Sequence, residues 1–176
     1  MDIQKQFYHF YKPYLKRIAE AIKNGKSLIF VGINSIGKTL LVEQILSKNF
    51  RRKFLTNKKV HLIYLEFKDK NPPTTEQLYE YWCLQTAKTL NQRLPQKEVF
   101  NDFSFYSFML ECVKSLSEEE KIVFILLDAQ NILSQSEAFF KSLIYLHTYS
   151  YGRLSFIVLS EPQILDCRNI WVQNFI

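Results

Sequence analysis

The chain has 176 residues, 47% of them hydrophobic and 23% charged, with a net charge of +6. This length suits one α/β domain with a real core, is short for two, and comes with too much apolar content for a disordered chain. No apolar run reaches transmembrane length, the N-terminus lacks a secretory apolar core, and Cys83, Cys112 and Cys167 are too scattered for a disulfide or metal framework, so a cytoplasmic protein with free thiols and no membrane contact is expected.

Residues 3–23 are predicted to be a helix, with Phe7, Phe10, Tyr11, Tyr14, Ile18 and Ile22 at three- and four-residue intervals and Asn24-Gly25 as the stop. "SLIFV" (27–31) is a short apolar run suited to a strand buried on both faces. A helix over 38–48 follows, then a basic connection, "KNFRRKFLTNKK" (48–59), then a strand, "VHLIYLEF" (60–67). "KDKNPPTT" (68–75) is a loop in which Thr75 is placed to cap a helix over 76–93. Pro95 breaks the chain before a helix over about 101–117. The strand "KIVFILLDAQN" (121–131), a helix near 135–149 closed by Gly152, and the strand "LSFIVLS" (154–160), ended by Pro162, complete the pattern. A helical turn and a start of a fifth strand are expected in 163–176. Alternating strands and helices predict a parallel sheet covered on both faces. Tyr79, Trp82, Phe105 and Tyr106 lie on helical faces and are assigned to core packing rather than base stacking. His9, His61 and His147 show no metal-ligand spacing.

Charge is uneven along the chain. Residues 1–60 carry 13 Lys/Arg against 3 Asp/Glu, and the remainder carries 10 against 14. An anionic partner therefore belongs with the first part. Lys48, Arg51, Arg52, Lys53, Lys58 and Lys59 form either a solvated basic face or a nucleic-acid contact.

The turn between the first strand and the next helix carries chemistry. Gly32-Ile33-Asn34-Ser35-Ile36-Gly37-Lys38-Thr39 matches G-x-x-x-x-G-K-[ST] in full. The glycines allow unusual backbone angles and close approach of a ligand. Successive N–H groups form a nest for anionic oxygens, and the helix that starts near Lys38 points its positive end at the same place. Lys38 supplies a point charge for the β- and γ-phosphates, and the Thr39 hydroxyl is suited to Mg²⁺. The expected ligand is ATP with Mg²⁺, held by Gly32 through Thr39 and the following Leu40. A second magnesium-holding carboxylate normally ends a buried strand beside such a loop, and Asp128 at the end of "IVFILLD" is the candidate, with a plain helix cap as the alternative.

The order of these segments, with "LIFVGINSIGKT", "IVFILLDAQN" and "LSFIVLSEP" as landmarks, resembles the core of AAA+ and related STAND ATPases, especially the origin-recognition-like and archaeal-type members. The resemblance covers about residues 20–176 and implies a three-layer αβα P-loop NTPase with sheet order 5-1-4-3-2. It implies that Asp128 is the Walker B acid and that Ser160 is the sensor 1 residue that feels the γ-phosphate; an ordinary strand-end hydroxyl is the alternative for Ser160. The arginine finger and sensor 2 would come from a neighbouring subunit and a lid beyond Ile176, and the apolar ending predicts a single domain, 1–176, cut short at its C-terminus and lacking that lid.

One departure matters. Most such ATPases place Glu directly after the Walker B Asp, where this chain has Ala129, then Gln130 and Asn131. Loss of a water-orienting base typically removes ~10²–10⁴-fold in rate. Gln130, Glu161 or Glu66 could orient water instead, and Lys38, Asp128, Gln130 and Ser160 form the expected catalytic set. The reading is a slow ATPase acting as a conformational switch, with partners bound through the basic segment or by self-association at the ATP site. The alternatives are a switch without turnover and a nucleoside or nucleotide kinase, the latter disfavoured because only Arg153 and Arg168 follow residue 94. A GTPase needs D-x-x-G after the magnesium strand and an ABC-type ATPase a Gly-rich signature before it; neither is present.

Overall fold

The computed structural model describes residues 3–32, 37–56, 59–67, 74–94 and 100–166. Strands β1 (Leu28–Val31), β2 (Lys59–Glu66), β3 (Glu120–Leu127) and β4 (Leu154–Ser160) run parallel in the order β1-β4-β3-β2. This is the predicted order for the first four strands; the start of a fifth strand expected after the helical turn lies outside the described residues.

Helices α1 (Ile3–Lys23), α2 (Lys38–Leu46) and α3 (Lys48–Phe54) cover one face of the sheet. Helices α4 (Thr75–Leu90), α5 (Asp102–Ser115) and α6 (Glu137–Tyr149) cover the other. A last turn of helix, α7, spans Gln163–Asp166. The central strands explain why both faces need a cover. Along β3, Ile122, Phe124 and Leu126 enter the core under α4–α6, while Val123, Ile125 and Leu127 enter the one under α1–α3. Every residue of β4 is buried too, Ser155 and Ser160 included, which is why these strands read as near-continuous apolar runs. On the α4–α6 side Trp82 contacts the rings of Phe67, Phe105, Phe124, Phe139 and Phe156, and Tyr79 stacks on Phe105. The predicted use of Tyr79, Trp82 and Phe105 as core holds, and Tyr106 packs against the same cluster half-buried.

Several local expectations are corrected. The basic segment after α2 is not a plain connection: residues 48–54 form α3, whose first turn is capped by the Ser47 side chain accepting from Phe50 N–H. Asn57 and Lys58 of that segment lie outside the described residues. Helix α4 is capped by Thr74, not Thr75, in a reciprocal box with Gln77. The Thr75 hydroxyl instead donates to Gln135 Oε1 at 2.9 Å. Strand β3 stops at Leu127 rather than running to Asn131, because Asp128 takes a left-handed conformation and residues Ala129–Ile132 wind into a 3-10 helix. Helix α6 is capped at its end by Ser150, two residues before Gly152.

Candidate functional site

In a parallel sheet the carboxyl ends of all strands meet along one edge, and ligand sites collect there. Here that edge gathers the residues singled out from the sequence. Val31 is in register with Ser160, and Leu127 with Leu159, so Ser160 and Asp128 leave the sheet side by side. Strand β4 lies between β1 and β3, as the resemblance implied. At ~4.8 Å per strand, the start of the glycine loop and the turn at Asp128 are roughly 10 Å apart. Glu66 ends β2 at the far edge, roughly 14 Å from β1 by the same spacing.

The loop itself is described at its two ends, and Ile33, Asn34, Ser35 and Ile36 lie outside the described residues. Gly32 N–H donates to Ser160 O at 3.0 Å, which pins the start of the loop to β4. Gly37 occupies the N-cap of α2 at φ 75°, ψ 23°, a conformation that strongly favours glycine. Lys38 folds back so that its ammonium donates to Gly32 O at 2.9 Å, joining the two ends. Thr39 and Leu40 are exposed on the first turn of α2. A Cβ added at Gly32 would meet no atom of the described residues within 4 Å.

The β3–β4 side is held by amide side chains. Gln130 Oε1 accepts from Ser160 Oγ–H at 2.9 Å and from Glu161 N–H at 3.2 Å. Asn131 Nδ2 donates to Phe67 O, at the end of β2. The turn after Asp128 is thus stapled to both neighbouring strands. Ala129 between them is 0% exposed and belongs to the core under α4–α6. Asp128 is half-buried, and its side chain makes no capping bond to the 3-10 helix. Glu161 follows Ser160 on the same edge and is half-buried.

Sequence reading missed an aromatic wall. Phe10, Tyr11 and Tyr14 of α1 and Phe30 of β1 line a cleft of about 120 Å³ with Gly32, Gly37 and Lys38. Tyr14 meets Phe30 edge-on at 6.3 Å, and Phe10 meets Tyr11 edge-on at 5.2 Å. A signal existed in the pattern: the buried stripe of α1 is Tyr11, Leu15, Ile18 and Ile22, and Phe10 and Tyr14 each sit one position off it, exposed. Burial, and then the neighbouring Tyr14, push the Tyr11 phenol above its usual pKa. Burial, and then Glu66, push the Tyr64 phenol far up, with Asp128 adding to it.

Among the described residues no three His, Cys, Asp or Glu side chains cluster as a metal site. Among the described residues, also, no helix is long and apolar enough to cross a membrane.

No known family profile matches the chain, and no curated protein does. Solved structures do. The chain is similar to the ORC1 protein of Aeropyrum pernix solved in complex with DNA, with a TM-score of 0.67 and 14% identity over 94% of this chain and 42% of that one. It is similar to a chain of Drosophila ORC bound to AT-rich DNA and Cdc6, with a TM-score of 0.57 and 14% identity over 89% of this chain and 48% of that one. A chain of Drosophila ORC bound to DNA gives a TM-score of 0.56 at 11% identity, over 89% and 79%. The chain spans less than half the length of the first two. These neighbours are ORC1/Cdc6-like AAA+ ATPases, the group that the motifs resemble, and the chain has their α/β P-loop NTPase fold.

Proposed function

We propose that the chain is a nucleotide-binding core that takes ATP with Mg²⁺ and works as a conformational switch with slow turnover. The observation that carries this reading is the setting of the G-x-x-x-x-G-K-T loop. It leaves β1 beside Ser160, ends in a left-handed Gly37 at the start of α2, and shares its edge of the sheet with Asp128. Among the described residues nothing crowds Gly32, and close approach of a phosphate is a reason for glycine there. Gly32 to Leu40 would cradle the triphosphate, with Ile33 to Ile36 supplying main-chain N–H groups and Lys38 exchanging its bond to Gly32 O for phosphate oxygens. Thr39 and Asp128 would hold Mg²⁺, whose charge offsets that of the phosphates. The aromatic cleft beside Gly32 and Gly37 is placed to receive the base. Slow turnover follows from the buried Ala129, which offers no base for water.

Titration calorimetry tests the binding reading. ATP with Mg²⁺ should bind the wild type, bind Lys38→Ala far more weakly, and lose its magnesium dependence in Asp128→Asn. A folded wild type that takes up no ATP overturns it.

A polyanionic partner is proposed on a separate observation. Helices α1–α3 carry 10 Lys/Arg against 2 Asp/Glu, whereas α4–α6 carry 3 against 5. One helical layer therefore carries an excess of positive charge that extends beyond the Lys48–Lys59 segment, and the structural neighbours were solved with DNA. Duplex DNA binding that weakens steeply between 50 and 200 mM salt is expected. Charge reversal at Arg51 and Arg52 should flatten the salt dependence. Self-association at the nucleotide edge would show as nucleotide-dependent sedimentation.

A further inference from the structure

We infer that Gln130, rather than Ser160, is the group that reads the γ-phosphate, and that Ser160 and Glu161 act as positioning residues which aim it. This rests on the nucleotide reading above and assigns the part of that site that senses the nucleotide state.

The inference follows from counting protons. A serine hydroxyl has one, and that of Ser160 is committed to Gln130 Oε1 at 2.9 Å. Ser160 is also fully buried, and its main-chain oxygen is taken by Gly32 N–H. The second contact fixes which way the amide of Gln130 faces. Glu161 N–H can only donate, so the atom 3.2 Å from it must be the carbonyl oxygen of the Gln130 side chain. The NH₂ end is therefore the one that neither Ser160 nor Glu161 occupies. It makes no hydrogen bond to any described residue.

Gln130 sits two residues beyond Asp128, on a turn whose left-handed start sends Ala129 into the core and brings Gln130 back toward β4. The result is an amide locked at its acceptor end, with two donor hydrogens left uncommitted at the carboxyl edge of the sheet. Such a group suits a phosphate oxygen. With its oxygen already twice occupied, it is a poor acceptor for a proton from water, so it reports the nucleotide more readily than it drives hydrolysis. The same side chain ties the end of β3 to the tip of β4, and the β4 main chain holds the loop, so loss or gain of a γ-phosphate contact would be felt on three strands at once.

The test compares ADP with a non-hydrolysable ATP analogue, each with Mg²⁺, by titration calorimetry, and follows thermal unfolding without nucleotide. Wild type should prefer the analogue. Gln130→Leu should weaken the analogue about tenfold, an effect of ~1.4 kcal/mol, and leave ADP unchanged. Ser160→Ala should shift affinity in the same direction, and the double variant should be no worse than Gln130→Leu alone. Gln130→Glu keeps an oxygen for Ser160 and Glu161 while removing the NH₂. It should unfold near the wild-type temperature yet lose the preference, an outcome that a purely structural role for Gln130 does not give, and it serves if the Leu variant does not fold. An unchanged preference in Gln130→Glu, losses from Ser160 and Gln130 that multiply, or a wild type that binds both nucleotides without preference would each overturn the inference while leaving nucleotide binding intact. A wild type that binds neither nucleotide removes the underlying reading as well.

Discussion

The phenol of Tyr11 donates to the carbonyl oxygen of Gly37 at 3.1 Å, so the N-terminal helix is tied to the exit of the glycine loop. The two residues also constrain each other sterically, since a Cβ on Gly37 would overlap the Tyr11 hydroxyl. Tyr11→Phe removes one half-buried hydrogen bond and should cost about 1 kcal/mol, a fall of roughly 2–4 °C in Tm. Gly37→Ala should cost more, because about 1–2 kcal/mol of left-handed backbone strain adds to the overlap with Tyr11. Thermal unfolding of both variants checks this, and a Gly37→Ala protein as stable as Tyr11→Phe would contradict it.

The cap of α4 offers a sharper local test. Thr74 accepts from Gln77 N–H while the Gln77 side chain accepts from Thr74 N–H. Thr74→Ala should lose about 1 kcal/mol in urea unfolding, and Thr74→Asp should retain most of it because a carboxylate caps as well and favours the helix N-terminus. An unchanged stability in Thr74→Ala would mean that the cap contributes nothing.

The thiols of Cys83 and Cys112 are both pushed up to about 12 from an ordinary 9.0, each chiefly by burial; Cys112 then raises Cys83, and Glu111 raises Cys112. A folded pKa above the unfolded one means that the folded state holds its proton longer. The stabilisation is complete below pH 9 and is lost as pH rises toward 12, by up to ~1.4 kcal/mol per pH unit for each thiol. The Tyr79 phenol, raised by burial and by its bond to Asp102, adds to the upper part of that window. At pH 8 alkylation should spare Cys83 and Cys112 in the native protein and label both in urea, as read by peptide mass mapping. The double variant Cys83→Ala, Cys112→Ala should show a flatter alkaline limb between pH 9 and 11.

What the sequence made legible follows from how many physical demands act on each segment. Strands β3 and β4 are buried on both faces over residues 122–127 and 154–160, so nearly every position there is apolar and the run is plain. The glycine loop needs rare backbone angles at fixed spacing, and Gly37 has one. The α3 helix was not legible because four of its seven residues are cations and only Phe50 is buried; it forms through the Ser47 cap and its packing beside α2. The end of β3 was misread because Asp128 adopts a left-handed angle with no glycine to announce it. Thr74 and Thr75 are chemically alike, and only the chain path decides which one caps. The Gln130 and Asn131 staples reach residues 30 and 64 positions away, a distance that no local pattern encodes.

Position 129 gives the most direct separation of a switch from an impaired enzyme. If the alanine were merely a lost catalytic residue, Ala129→Glu should restore fast hydrolysis. The fold argues otherwise. The side chain at 129 is fully buried among the apolar residues under α4–α6, with the flanking Gln130 and Asn131 stapled to neighbouring strands. A carboxylate there has no described partner and must either be desolvated or pull the staples apart. Breaking in such a charge should cost roughly 3 kcal/mol or more, although its protonation will absorb part of that. The expected result is a Tm at least several degrees lower, a larger deficit at pH 8 than at pH 5 because the acid is easier to bury when neutral, and no gain in phosphate release. A stable Ala129→Glu protein with turnover raised a hundredfold would show that the turn reopens to bring position 129 to the nucleotide, and the case for a switch without an internal base would fall with it.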